Sequence, residues 1–414
     1  MDYTTFFTQA LDGLKADGRY RYFTDIRRRC GQFPYADYYG EKGPQPIIVW
    51  CSNDYLNMGQ NPIVKEAMIS AIEDAGTGAG GTRNISGNTY YHLLLEEEIA
   101  SLHQKEAALV FTSGYVSNEA TLSTLASKLP QCVVFSDAQN HASMIHGIRY
   151  SGAKKEIFRH NDAQHLRELI QHYPPHQPKI IAFESVYSMG GDIAPIKEFV
   201  EIAEEFNALT YLDEVHAVGM YGDQGGGIAE ELGLAHRVSI IEGTLGKAFG
   251  VIGGYIASNR LIVDFVRSFA APFIFTTALP PAITAGARAS IRYLRQSQRE
   301  RLKQKENVTY MKGLLLQAGI SFMDEPSHII PVVIGDAHGC RLVSDILLKE
   351  YGMYAQPINY PTVPQGSERL RFTPSPAHTR EMIEDVVSAL CQIWDKLGMK
   401  RPLPPLSDPL SKAV

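Results

Sequence analysis

Cysteine is scarce in this chain, five in 414 residues. Cys30, Cys51, Cys132, Cys340 and Cys391 are scattered, odd in number and form no C-x-x-C pair. That spacing argues against a disulfide framework and against a cysteine-rich zinc centre, and it fits a reducing compartment, so a cytoplasmic location is expected. Long uncharged apolar runs are missing too, so no membrane span is expected. The start, Met1-Asp2-Tyr3-Thr4-Thr5-Phe6-Phe7, has neither the basic opening nor the apolar core of a signal peptide. No long basic run occurs, and the formal net charge is -6. Nucleic acid is therefore not expected as a partner.

The length allows two or more domains with a large core. Apolar runs at 107–111, 133–135, 179–183, 209–212, 238–241 and 253–257 read as strands and alternate with helical patterns. This predicts an α/β chain whose large domain holds a mostly parallel central sheet covered by helices. An earlier strand is expected at 47–51, and helices at 6–14, 63–75, 93–103, 116–125, 281–295 and 297–317. From about residue 318 strands and helices mix, which predicts a smaller α+β C-terminal domain. The run 329–334 carries Pro331 and is expected at a sheet edge. The expected boundaries are an N-terminal segment over 1–48, a large domain over 49–295, a small domain over 296–400 and a loose proline-rich tail over 401–414.

In doubly wound sheets ligands gather beyond the carboxyl ends of the strands. Here those ends carry polar groups in succession. Thr112-Ser113-Gly114-Tyr115 turns from a strand into a helix, the arrangement that cradles a phosphate. Ser136 and then His141 follow the next strand, Glu184, Ser185 and Ser188 the one after, and Asp213 and His216 the fourth. Thr244-Leu245-Gly246-Lys247-Ala248-Phe249-Gly250 closes the series. A lone lysine is usually a solvated surface group, but this one stands where the others converge. A lysine amine forms a Schiff base with an aldehyde once its pKa is lowered. Asp213 is suited to a protonated pyridine nitrogen, His141 to lying over the ring and His216 to the ring's phenolic oxygen. Ser113, Gly114, Tyr115 and Thr244 are suited to a phosphate. Together they point to pyridoxal phosphate. Gly76 to Gly81 matches G-x-G-x-x-G, but a helix precedes it rather than a strand, so it reads as a loop and not as a dinucleotide site. The cluster Arg19, Arg21, Arg27, Arg28 and Arg29 is either a solvated basic face or an arm that meets an anionic ligand.

Thr244 to Gly250, Asp213-Glu214-Val215-His216-Ala217-Val218-Gly219 and Asn140-His141-Ala142-Ser143 resemble the α-oxoamine synthases. These are fold-type I pyridoxal-phosphate transferases that join an amino acid to an acyl-CoA and release carbon dioxide. The resemblance runs from about Arg19 to Trp394. Three segments narrow it to the branch that condenses glycine with succinyl-CoA to 5-aminolevulinate, the first step of haem synthesis. They are Gly80-Gly81-Thr82-Arg83-Asn84-Ile85-Ser86-Gly87, Val49-Trp50-Cys51-Ser52-Asn53-Asp54-Tyr55-Leu56, and Pro357-Ile358-Asn359-Tyr360-Pro361-Thr362-Val363-Pro364.

The resemblance implies a homodimer with shared active sites, and it implies roles. Lys247 would hold the cofactor and then remove a glycine α-proton. Asp213 would pair with the pyridinium nitrogen, His141 would stack on the ring, and His216 would bond the ring oxygen. Ser113, Gly114, Tyr115 and Thr244 would bind phosphate, with Thr276 and Thr277 completing that cradle from the partner subunit. Arg371 would grip the glycine carboxylate. Arg21, Thr82 and Asn84 would receive the distal carboxylate of succinyl-CoA, and Asn53, Ser136, Ser188 and Thr362 are further substrate positions. A buried Arg21 without its carboxylate would be costly, which would reject acyl-CoAs that lack one. The chain departs from the family at Ser188-Met189-Gly190-Gly191-Asp192, where Ser-Met-Asp-Gly-Asp is usual. An effect on the loop rather than on the chemistry is expected. An end soon after Pro405 is expected of bacterial rather than mitochondrial members. The rival readings are a sister synthase, such as glycine C-acetyltransferase or 8-amino-7-oxononanoate synthase, and a non-catalytic subunit. A non-catalytic subunit would be expected to lose Lys247.

Overall fold

The computed structural model describes residues 1–41 and 43–401. It divides into two compact units, one of Met1–Ser52, Met189–Gly191 and Leu302–Val414, the other of Asn53–Ser188 and Asp192–Arg301. The expected tail over 401–414 lies, apart from Arg401, outside the described residues.

The first unit begins with the helix Tyr3–Ala16 and three antiparallel strands, β1 (Ile26–Arg28), β2 (Tyr35–Gly40) and β3 (Gly43–Val49). The sequence pattern announces only the last of these. Charged residues hide the other two, Arg27 and Arg28 in β1 and Asp37 in β2: Arg27 and Arg29 both grip the buried Asp37, at 2.8 and 2.5 Å. Two members of the basic cluster are thus structural.

The second unit is built on seven strands, β4 (Ala107–Phe111), β5 (Val133–Asp137), β6 (Lys154–Phe158), β7 (Lys179–Glu184), β8 (Leu209–Asp213), β9 (Ile240–Thr244) and β10 (Gly254–Ser258). They lie in the order β4-β10-β9-β8-β7-β5-β6. The pairs among β9, β8, β7, β5 and β6 are parallel, and β10 runs antiparallel to both β4 and β9. Strand β6 escapes the sequence pattern because it is a lysine-rich edge strand, which is how edges are kept from pairing further. Strand β9 starts later than the expected 238–241. Val238 is still held in a turn by the Leu234 carbonyl, and Ser239 N–H donates to Thr210 Oγ1. The sheet packs an apolar cluster on each face, one around Leu95, Ile99, Phe249 and Ile291, the other around Phe111, Ile148, Ile180 and Phe273. The expected helices occur as Pro62–Ala75, Tyr90–Leu102, Gly114–Lys128, Pro281–Gln296 and Arg299–Gln317.

The remaining strands belong to the first unit: β11 (Ile330–Val333), β12 (Met353–Tyr354), β13 (Pro357–Ile358) and β14 (Arg369–Phe372). Strand β11, with Pro331, lies at the edge of the sheet β11-β14-β13. Strand β12 adds in parallel to β3, so the chain's two ends share this unit. Its core joins Trp50 to Leu347, Phe372, Leu390 and Trp394. Among the described residues no helix is long and apolar enough to cross a membrane.

Candidate active site

In the second unit the strand ends deliver their polar groups to one cavity of about 120 Å³, lined by Gly114, Tyr115, Asn118, His141, Ser143, Glu184, Asp213, Val215, His216, Thr244 and Lys247. Strand β4 runs into the helix Gly114–Lys128, and Ser113 caps that helix by accepting from Val116 N–H at 3.2 Å. The first N–H groups of a helix have no partner within it, so this start offers donors to an anion. Thr244 closes β9. Its hydroxyl donates to the Gly253 carbonyl at 2.9 Å and accepts from Gly246 N–H at 3.1 Å. The loop that carries Lys247 is thereby fixed at both sides.

Lys247 stands at one end of a chain of hydrogen bonds. Its Nζ is 2.8 Å from His216 Nε2, His216 Nδ1 is 2.8 Å from the Tyr55 hydroxyl, and that hydroxyl lies 3.2 Å from Asn53 Oδ1. With Lys247 as an ammonium the donors assign in one direction. The ammonium donates to Nε2, Nδ1–H donates to Tyr55, and Tyr55 O–H donates to Asn53. Asp213 is held separately: Oδ2 accepts from Asn118 Nδ2 at 2.7 Å and Oδ1 from Val215 N–H at 2.8 Å. Asn118 is fixed in turn by the Tyr211 hydroxyl at 2.9 Å. His141 Nδ1 is 2.7 Å from Ser143 Oγ, and its backbone N–H donates to Glu184 at 2.6 Å. Burial pushes the His141 imidazole below its ordinary pKa; the Asp213 charge opposes this and Lys247 adds to it. A neutral imidazole is suited to lying against a ring.

The other expected site residues fall elsewhere. Thr276 and Thr277 line a separate small cavity with Arg83, His92, Phe111 and Thr112, and Thr277 makes a β-bridge to Thr82. Thr82 Oγ1 donates to Asn84 Oδ1 at 2.6 Å, and Asn84 faces an open cavity with Arg83, Glu96 and Arg267. Ser136 is buried on β5, where it accepts from Asn140 at 2.9 Å, and it is not among the residues lining the Lys247 cavity. Ser188, half-buried, follows β7.

In the first unit Arg371 is buried on β14 opposite Pro331. Arg21 and Thr362 line a cavity of about 350 Å³ with Lys15, Arg19, His338 and Arg341. Arg21 Nη2 donates to Thr362 Oγ1 across a long 3.4 Å. Lys15, Arg19 and Arg341 each have an aspartate partner. Among the described residues no carboxylate pairs with Arg21. It is exposed, so the penalty expected for an unpaired buried guanidinium does not apply to it, and water screens its charge. Near Gly190, the carbonyl of Met189 accepts from Arg369 Nη1 at 3.1 Å.

The sequence pattern of the aminotransferase class I and II family matches residues 45–390. The 5-aminolevulinate synthase of Rhizobium meliloti (strain 1021) is 59% identical over 401 residues, covering 97% of this chain and 99% of that protein. The 5-aminolevulinate synthase of Rhodobacter capsulatus is 55% identical over 404 residues, covering 97% and 99%. The chain belongs to the class I and II aminotransferase family, in its 5-aminolevulinate synthase branch. A high-resolution structure of SPT with PLP superposes with a TM-score of 0.90 at 29% identity, covering 97% of this chain and all of that one.

The cofactor of this family is pyridoxal phosphate, and the donor set of the cavity fits it. An amine for the aldehyde, a buried carboxylate for the pyridine nitrogen and a helix start for the phosphate face the same space. The helix start is closely approached: a Cβ on Gly114 would stand 3.3 Å from Thr244 Cβ and Oγ1, a tight contact that would narrow the cradle. Four residues in or beside this cavity were not singled out by sequence reasoning: Asn118 and Ser143, which line it, and Tyr55 and Glu242, which touch groups around it. Tyr55 and Ser143 lie inside quoted motifs. A glutamate ending the apolar run of β9, and an asparagine inside an apolar helix, were the signals available for the others.

Proposed function

We propose that this protein condenses glycine with succinyl-CoA, forming 5-aminolevulinate and releasing CoA and carbon dioxide. The observation that carries the reading is the convergence of Lys247, His216, His141, Asp213 and Thr244 on one cavity. The substrates follow from the branch, whose members match over nearly the whole chain; a sister synthase and a non-catalytic subunit are not favoured. Pyridoxal phosphate, when bound, supplies an electron sink for the carbanion formed at the glycine α-carbon and for the electron pair left by decarboxylation.

The chain's own residues do the rest. Lys247 would hold the cofactor through its amine, and that amine, when free, would take the glycine α-proton. His216, 2.8 Å from the amine, would fix where that proton is held, and its Nε2, once protonated instead of accepting from the amine, would bond the ring oxygen. Asp213 would keep the pyridine nitrogen protonated. Gly114, Tyr115, Ser113 and Thr244 hold the phosphate. His141 covers the ring and assists condensation. Arg371 receives the glycine carboxylate in two parallel hydrogen bonds. Arg21 with Thr362, and separately Thr82 with Asn84, are the positions of the reading for the distal carboxylate of the acyl group. Asn53, Ser136 and Ser188 are the remaining substrate positions of the reading. Thr276 and Thr277, outside the Lys247 cavity of their own chain, serve the phosphate of a partner copy in a homodimer. A cytoplasmic location is part of the same reading, supported by five free cysteines.

Product identification by mass tests it. Purified protein is given pyridoxal phosphate and glycine with succinyl-CoA or with acetyl-CoA. 5-Aminolevulinate in the first tube and near-silence in the second is the expected result. A productive acetyl tube would leave the lysine chemistry standing and remove the substrate assignment.

A further inference from the structure

Three acidic side chains stand side by side across neighbouring strands. Glu184 on β7 is the register partner of Asp213 on β8, and Asp213 is the partner of Glu242 on β9. Side chains alternate between the faces of a strand and paired positions share a face, so the three carboxyls form a row. All are buried, at 2%, 4% and 0% exposure. Three charges in such a row would repel one another where little water screens them.

The donors around the row decide which group keeps its charge. Both oxygens of Asp213 are served by N–H donors, from Asn118 at 2.7 Å and Val215 at 2.8 Å, which favours the ionised form. Among the described residues a hydrogen bond reaches one oxygen of each glutamate: Glu184 Oε1 from His141 N–H at 2.6 Å, Glu242 Oε1 from Ser117 Oγ at 2.5 Å. Glu242 Oε2 is buried and accepts no hydrogen bond. As a carboxylate oxygen it would be costly there; as the O–H of an acid it is a donor, with Asp213 the acceptor beside it.

We propose that Glu184 and Glu242 are positioning residues that stay protonated at neutral pH, leaving Asp213 as the one charged carboxylate of the row, steadied by a neutral acid on each side. Burial first, and then the Asp213 charge, push both glutamates well above the ordinary glutamate range. Lys247 opposes this at both, and Asp137 reinforces it at Glu184. The nearby phenols Tyr187, Tyr211 and Tyr255 are pushed up and stay neutral, and His141 is pushed down. On the proposed reading of Asp213, which this inference deepens, the row then offers one negative charge to one pyridinium N–H. With all three ionised it would draw a further proton to itself or to the ring.

The test uses the full-length holoenzyme and the variants Glu242→Gln and Glu184→Gln. A carboxyl whose folded pKa is raised must take up a proton on folding. Its contribution is fully present below the unfolded pKa and is lost as pH rises through the folded value. Glutamine takes up no proton. The thermal stability of Glu242→Gln relative to wild type is therefore expected to improve steadily from roughly pH 5 to pH 8. The infrared carbonyl stretch of a protonated carboxylic acid should be present in wild type and weakened in each variant. Pyridoxal-phosphate affinity of Glu242→Gln should stay within about threefold of wild type, while Asp213→Asn should lose about tenfold or more. A stability difference flat in pH, a protonated-acid band absent from wild type or unchanged in both variants, or a Glu242→Gln loss as large as that of Asp213→Asn would overturn the proposal. If Glu242→Gln does not fold, the infrared comparison of Glu184→Gln decides. An Asp213→Asn variant that keeps full cofactor affinity would instead overturn the reading of Asp213, while the melt and infrared results judge the row by themselves.

Discussion

The cavity at Lys247 and the cavity at Arg21 are built on opposite terms. The first, at strand ends, is small and lined by groups that hold one another: Lys247 to His216 to Tyr55, Asp213 to Asn118 to Tyr211, His141 to Ser143. The second lies among the N-terminal segment and loops of the other unit. It is about three times larger, at about 350 Å³ against 120 Å³, and among the described residues its Arg21 makes one long hydrogen bond, to Thr362. Chemistry that depends on which atom carries a proton needs fixed partners and low water. Recognition of a carboxylate needs a cation that is not already paired. On the proposed function, turnover belongs to the first cavity and substrate preference to the second, and that division is breakable at either end.

The largest expected effect is at Lys247. On the proposed function Lys247→Ala removes both the anchor for the cofactor and the base, so kcat should fall by about 10²–10⁴-fold, with no borohydride-trapped adduct at that position. A variant within tenfold of wild-type turnover would mean that the lysine cavity is not where the proton moves. Arg21→Leu comes next and should act on the other parameter. An exposed arginine is screened, so a change of about tenfold in the preference for succinyl-CoA over neutral acyl-CoAs is expected, carried by KM. Unaltered preference would remove Arg21 from the acyl site; a collapse of kcat at unchanged KM would erase the distinction between the two cavities.

The two regions also differ in how far they could be read in advance. The strand ends at Ser113, His141, Asp213, His216, Thr244 and Lys247 follow from apolar runs that stop at polar residues, because a doubly wound sheet brings every such stop to one edge. What stayed hidden there are groups that act through others. Tyr55, Asn118 and Glu242 contact the key side chains only because strands and helices distant in sequence pack together, and no local pattern encodes that. The first unit was harder. Its strands β1 and β2 are masked by charged residues, the arginines of β1 and the buried Asp37 of β2 that Arg27 and Arg29 serve, and β12 joins β3 across some three hundred residues of chain. The burial of Arg21 was misjudged for a related reason: a side chain's exposure depends on packing that one segment cannot announce.

The smallest expected effect tests whether the wiring of the Lys247 cavity matters beyond its shape. Tyr55 is almost fully buried, with its hydroxyl 2.8 Å from His216 Nδ1. Tyr55→Phe keeps the ring in its packing and removes only the oxygen. His216 Nδ1–H then has lost the acceptor that fixes its tautomer, and Nε2 is no longer committed to face the lysine amine as an acceptor. One lost hydrogen bond of this kind is worth about 0.5–1.5 kcal/mol, so kcat should fall by roughly two- to twelve-fold. KM for succinyl-CoA should not move, because Arg21 and Thr362 are untouched. If kcat is unchanged, His216 is held by shape alone and the relay to Asn53 has no part in turnover. If KM moves with kcat, the lysine cavity and the acyl site are coupled through Tyr55, and preference and turnover cannot be divided between them.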